Sequence, residues 1–268
     1  MVILFCRLIA AGFLVISLSA SAVEHLKLST TTSTENSGLL TVLNPAFEAE
    51  YGVKVDVIAV GTGKALKLGS RGDVDVVFVH APAAELKYVE QGDFIDRQAV
   101  MHNDFVIIGP RSDPADVSNG SSAVDALKRL MNSKARFVSR GDDSGTHKKE
   151  LALWQSARVS PVGHWYIQAG QGMGAVIKMT DEMGAYTLTD RGTQIAFADK
   201  VNLAVLYEGD EILFNPYHIM AVNPERHAHV NYTLATQYIE FVTGEQGQAI
   251  IRNFKMRGQS LFYPDAIK

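Results

Sequence analysis

Ala135-Arg136-Phe137-Val138-Ser139-Arg140-Gly141-Asp142-Asp143-Ser144-Gly145-Thr146-His147-Lys148-Lys149-Glu150-Leu151-Ala152-Leu153-Trp154-Gln155 divides into three pieces. The apolar run at 135–138 reads as a strand. The segment from Lys148 has helical composition, with apolar residues at 151 and 154. Between them lies a Gly/Ser turn. A strand, such a turn and a helix start, in that order, can cradle an anion. The first backbone N–H groups of a helix have no internal partner, and its dipole favours negative charge there. Ser144 stands where an N-cap belongs, with Gly145 and Thr146 opening the helix. Arg140 adds a permanent cation whose planar fork of donors matches an oxyanion. An ordinary capped helix with an exposed salt bridge fits the same residues, and this stretch alone does not choose between the two.

The rest of the chain repeats the pattern. His25 to Ser29 alternates and then enters five consecutive hydroxyl residues, Thr30-Thr31-Thr32-Ser33-Thr34, before an apolar helical face at Leu39, Leu40, Val42, Leu43 and Phe47 that Pro45 is expected to kink or restart. A plain N-cap would need one of those hydroxyls. Val53 to Val60 is a strand, and Gly61-Thr62-Gly63 opens a helix. No third glycine completes a dinucleotide fingerprint there, and no acidic residue ends a partner strand at the expected distance, so a small anion is favoured. Val74 to Val79 is nearly all apolar, as in a sheet covered on both faces, and ends in His80-Ala81-Pro82. Further strands are expected at Asp104–Pro110, Trp165–Ile167, Ala185–Leu188, Leu203–Tyr207, Glu211–Phe214 and Tyr217–Val222. The intervening helices span about 83–91, 122–132, 174–183, 190–197 (capped by Thr189), 232–243 and 245–254. Alternating strands and helices imply an α/β fold with largely parallel sheets, whose ligands sit beyond the carboxyl ends of strands. Four junctions, at 30–38, 61–63, 80–82 and 139–147, converge on that position.

Composition bounds the partners. The first 22 residues carry one charge, Arg7, an apolar run from Leu8 to Leu18, and Ala20-Ser21-Ala22 as a cleavage site. They read as a secretory signal, too short to span a membrane stably. Cys6, the one cysteine of the 268 residues, lies inside it, so no disulfide framework or thiolate metal site is expected. A soluble, unanchored periplasmic protein follows. The formal charge of −4 becomes −5 when Arg7 leaves with the signal, which argues against nucleic acid and anionic membranes as partners.

Together with Gly72-Asp73-Val74-Asp75-Val76-Val77, Asn103-Asp104-Phe105-Val106-Ile107 and Ala185-Tyr186-Thr187-Leu188-Thr189-Asp190-Arg191, these junctions resemble the tungstate-binding periplasmic components of ABC transporters. The likeness runs in order through almost the whole mature chain; phosphate- and molybdate-binding proteins are similar more distantly. It implies a type II periplasmic binding protein of two α/β sandwich lobes closing on a ligand. Lobe one would comprise 23–107 plus 215–268 and lobe two 108–214, with hinge strands near 104–109 and 212–220. The implied ligand is tungstate or molybdate, and the implied partner an ABC transporter permease. A monomer with no cofactor is expected. The phosphate binders' Arg-x-Asp-x-Ser-Gly-Thr loop is matched by Arg140, Asp142, Ser144, Gly145 and Thr146, and their junction hydroxyl by Thr62. Their carboxylate, which accepts the proton of hydrogen phosphate, falls near His80. A cavity of donors alone would reject hydrogen phosphate, leaving its hydroxyl unpaired at a cost of ~1–3 kcal/mol.

The ligand set expected on these grounds is Thr31, Thr32, Ser33, Thr62, Gly63, His80, Arg140, Ser144, Gly145 and Thr146, with Asp142 orienting the guanidinium. A hydrolase built on Ser144, His147 and Asp143 is disfavoured. Ser144 lacks the Gly-x-Ser-x-Gly elbow, and His147 lies three residues away on the same helix start. A cation site on His80, His147, His164 or His218 lacks helical pairing and thiolates, so no metal cation and no enzymatic activity are expected.

Overall fold

A computed structural model describes residues 23–266; the expected signal segment lies outside them. The strands are β1 (His25–Thr31), β2 (Lys54–Val60), β3 (Val76–Val79), β4 (Phe94–Pro110), β5 (Phe137–Ser139), β6 (Tyr166–Gln168), β7 (Thr187–Asp190), β8 (Leu203–Tyr207), β9 (Phe214–Val222), β10 (Lys255–Met256), β11 (Gln259–Ser260) and β12 (Tyr263–Pro264). The helices are α1 (Thr32–Asn36), α2 (Leu40–Tyr51), α3 (Thr62–Ser70), α4 (Pro82–Glu90), α5 (Ala123–Ser133), α6 (Gly145–Ser156), α7 (Met173–Glu182), α8 (Arg191–Phe197), α9 (Tyr232–Thr243) and α10 (Glu245–Asn253).

One sheet runs in the order β12-β4-β9-β3-β1-β2. Its centre, β3, is wholly buried, as the apolar run at 76–79 requires. β1 pairs in parallel with β2 and β3, but β9 and β4 are antiparallel to their neighbours, so the sheet is mixed rather than largely parallel. The seventeen-residue β4 organises the molecule. It pairs with β9 as far as Asp104↔Phe214, and from Phe105↔Asp190 onward with β7 and then β8. One strand therefore serves two sheet regions, and it changes partner between Asp104 and Phe105.

Apolar clusters lie on both faces of each region. Leu28, Phe47, Phe78, Tyr238 and Phe262 belong to one face of the β1–β3–β9 region, and Leu66, Val77, Phe94 and Met220 to the other. Around the far end of β4, Phe105, Ile107, Trp154 and Tyr186 form one cluster, and Val106, Ile108, Val138 and Val176 the second. Consecutive β4 residues feeding opposite faces is the period of two that a strand dictates.

Three local expectations are corrected. α2 is not restarted at Pro45, which sits inside a continuous helix and removes one N–H; the break comes earlier, where α1 ends and the left-handed Gly38 turns the chain. Glu211–Leu213 forms a 3-10 turn rather than a strand, because Asp210 accepts from Ile212 N and bends the backbone. Asp190, not Thr189, caps α8, accepting from Thr193 N at 2.9 Å.

Candidate anion-binding site

Strand register brings three junctions level. Thr31 pairs with Val60 and Thr30 with Phe78, so the chain leaves β1, β2 and β3 at one edge as Thr31, Gly61 and His80. Thr30 keeps its hydroxyl for the sheet, donating to Phe78 O at 2.7 Å. Thr31 caps α1 by accepting from Thr34 N at 3.1 Å. Its Oγ1 also lies 3.0 Å from Ser33 Oγ, 2.7 Å from Thr34 Oγ1 and 3.1 Å from His80 Nε2, and Ser33 Oγ reaches the same nitrogen at 3.1 Å. Thr32 is exposed in the first turn.

α3 opens on Gly61 without any side-chain cap, so the first N–H groups at Thr62 and Gly63 remain aimed along the helix axis. A Cβ at Gly63 would meet no protein atom within 4 Å. The space ahead of α3 is therefore open.

The second group of donors opens α6. Gly141 is left-handed at φ 59, and a Cβ there would sit 2.9 Å from the Gln168 side chain, so both backbone and packing demand glycine. Ser144 caps the helix by accepting from His147 N at 3.3 Å. Gly145 and Thr146 follow as its first residues, and a Cβ at Gly145 would again enter open space. Arg140 donates through Nε (3.1 Å) and Nη2 (2.5 Å) to Asp142 Oδ2, while Asp142 Oδ1 accepts from Ser144 N at 3.2 Å. Burial pulls the Asp142 carboxyl upward, yet the Ser144 and Arg140 donors outweigh it and hold it below the usual range. Behind this loop, the buried Glu150 accepts from Tyr166 OH at 2.7 Å and Trp154 Nε1 at 3.2 Å. His147 is occupied locally, accepting from Asp143 N at 3.0 Å.

The structure thus joins Thr31, Ser33 and His80 directly, and separately joins Arg140, Asp142 and Ser144. Among the described residues no hydrogen bond links the two groups. Each group is tied to the paired strands β4 and β9. His80 Nδ1 lies 3.0 Å from Asn215 Oδ1, and Asn215 Nδ2 donates to Asn103 Oδ1 at 2.7 Å, so the ring is tied to the paired strands β4 and β9. From the other side Lys149 of α6 donates to Phe214 O at 3.0 Å. His80 stacks on buried Tyr217, with centroids 4.5 Å apart.

Several of these partners are not singled out by sequence reasoning. Asn215 carries no local pattern, Tyr217 reads only as the start of a strand, and Asn103 only as part of the Asn103–Ile107 family likeness. Glu85 looks like a surface carboxylate on α4, yet it is fully buried. Its Oε1 accepts from Ala81 N at 2.6 Å and its Oε2 accepts Arg97 Nε (3.1 Å) and Nη2 (2.8 Å). His218 Nδ1 also lies 3.0 Å from Oε2 but without hydrogen-bond alignment, so Arg97 is the effective partner. A Glu placed early in a helix that starts with Pro was the available signal, as a variant of the capping box.

A separate concavity lies away from these residues. About 600 Å³ beside the strand exchange is lined by His102, Asp104, Arg191, Glu208, Phe214 and Tyr263. Arg191 is engaged there by Asp104 at 2.9 and 2.5 Å and by Glu208 at 2.5 Å. An anion would have to displace two carboxylates. The hydroxyl cluster and the α3 and α6 openings, with donors still to give, suit a small oxyanion better.

Comparison with known proteins points the same way. A model of the PBP superfamily domain matches residues 17–246. The chain is 44% identical over 245 residues to the tungstate-binding protein TupA of Peptoclostridium acidaminophilum, spanning 90% of this chain and 86% of that protein. It superposes on the tungstate binding protein TupA from Desulfovibrio alaskensis G20 with a TM-score of 0.85 at 43% identity, over 91% of this chain and 99% of the other. The structure described as the tungstate ABC transporter from Geobacter sulfurreducens gives a TM-score of 0.77 at 59% identity, over 86% and 99%.

Proposed function

This chain belongs to the PBP superfamily and to its tungstate-binding members, and from that premise we propose that it captures tungstate in an interlobe cleft and delivers it to the permease of an ABC transporter. The observation that carries the reading is the level register of Thr31, Gly61 and His80 at one sheet edge, with hydroxyls and the uncapped α3 presented together. The proposed ligand residues are Thr31, Thr32, Ser33, Thr62, Gly63 and His80 on one lobe, and Arg140, Ser144, Gly145 and Thr146 on the other. Residues 23–107 plus 215–268 form the first lobe and 108–214 the second, with the strand exchange at Asp104–Phe105 as the hinge. The working form is a periplasmic monomer released from its signal at 1–22. Its role calls for no bond-making step and no cofactor, and molybdate, of like charge and shape, is the alternative cargo.

Parallel thermal titrations with tungstate, molybdate, sulfate, phosphate and chromate test this. Tungstate at a hundred times its Kd should stabilise the fold by about 2.7 kcal/mol, molybdate next, and phosphate little. A midpoint unmoved by every oxyanion, or moved most by phosphate, would overturn the reading.

A further inference from the structure

His80 does not behave as a plain donor. With Asn215 Nδ2 engaged by Asn103 Oδ1, Asn215 Oδ1 is the atom that faces His80 Nδ1. An amide oxygen only accepts, so Nδ1 carries the hydrogen, and in a neutral ring Nε2 is a bare lone pair. That lone pair faces the hydroxyls of Thr31 and Ser33 at 3.1 Å each. Each hydroxyl has one hydrogen to give. If it donates to Nε2 it cannot donate to an oxyanion, and if it turns to the oxyanion, Nε2 is left opposite oxygen and negative charge.

Charge sharpens the conflict. Arg140 is already paired with Asp142, so the loop adds little net positive charge against a dianion. Around His80, Tyr217 of β9 stacks on the ring, and the carboxylates whose charge reaches it are Asp190 at the end of β7 and Glu85 on α4. Glu85 is itself held by Arg97 of β4 and lies against His218 of β9. Asp190 is held by Thr193 N and Oγ1 at 2.9 and 2.6 Å. Both carboxylates are held by charged or backbone donors, whereas Nε2 has only the two hydroxyls that the oxyanion would draw away.

We propose that His80 takes up a proton as the dianion binds, so that the site fills with oxyanion and hydrogen ion together and pH sets its affinity. This rests on the dianion reading given above. In the free protein burial holds the imidazole below its ordinary value, partly opposed by Asn215, Asp190 and Glu85, which favours the neutral ring. A dianion beside Nε2 raises its proton affinity. The group gains a proton on binding, so binding tightens as pH falls, approaching about tenfold per pH unit between the free and bound values, and levels off below the free value.

Calorimetric titration of the full-length chain with sodium tungstate at about pH 7.5, in two buffers of different ionisation enthalpy, reads the protons taken up directly. The expected result is uptake approaching one proton per tungstate, with affinity weakening severalfold towards about pH 8.5. Whatever tungstate H80Q still binds should be taken up without a proton and without pH dependence in this range. Normal tungstate binding without proton uptake overturns the proposal and leaves the cargo intact. Uptake that persists in H80Q assigns the proton to another group and overturns it equally. A wild-type chain that binds no tungstate overturns the cargo reading as well, so the two failures are told apart. Nitrogen-15 histidine spectra of the wild type decide the matter without any variant, because Nε2 of His80 must pass from the lone-pair to the protonated shift when tungstate is added.

Discussion

Arg140→Ala is expected to weaken tungstate binding by more than about 2 kcal/mol, roughly thirtyfold, in a calorimetric titration. The guanidinium is pre-aimed by two bonds to Asp142, whose second oxygen is fixed by Ser144 N. Truncation therefore removes a charge whose ordering is already supplied by the fold. Arg140→Lys keeps the charge but loses the planar fork and should fall in between, at about a tenfold loss. Neither substitution touches an apolar cluster, so the unfolding midpoint without ligand should hardly move. Unchanged affinity in Arg140→Ala would remove this residue from the site.

Glu85→Gln carries the largest expected effect on stability. It keeps an acceptor for Ala81 N and nearly the same shape, but leaves Arg97 without its carboxylate beside a side chain that is 0% exposed. Breaking a buried ion pair from one side costs about 3 kcal/mol or more. In a chain of this size that lowers the thermal midpoint by roughly 10 °C. Because the same carboxylate fixes the first turn of α4, His80 should lose its place against Thr31 and Ser33, and tungstate affinity should drop with it. A melting curve within a degree or two of wild type would show that Arg97 finds water or His218 instead.

What the sequence made legible was chemistry that repeats locally. The all-apolar 76–79 run gave a covered strand, and glycine and hydroxyl residues at helix starts gave the Thr31 and Gly61 junctions that lie level along one edge with His80. The proposed division into discontinuous lobes rests on the family resemblance, since no period marks it. The first half of β4 is the clearest loss. Asp96 is left-handed at φ 53 and the ladder slips register between Ile95 and Gln98 and again between Ala99 and Met101, so no alternation survives along 94–103. The antiparallel course of β4 and β9 was hidden for the same reason. Within Thr30–Thr34, composition cannot say which hydroxyls serve the fold. Thr30 and Thr34 are fully buried, while Ser33 and Thr32 reach the surface, a distinction set by the pleat and by where α1 begins. For Glu85 the sequence offered only its place near the Pro-started α4, where it accepts from Ala81 N; its charged neighbours Arg97 and His218 lie twelve residues and more away along the chain.

A crystal of the protein grown with tungstate, with the tungsten placed by its anomalous signal, puts the shared cleft to trial. A metal centre whose oxygens lie within about 3 Å of both the Thr31–Ser33 hydroxyls and the Arg140–Thr146 loop is the expected result. Tungsten bound to only one of these groups, or in the cavity beside Arg191, would contradict it.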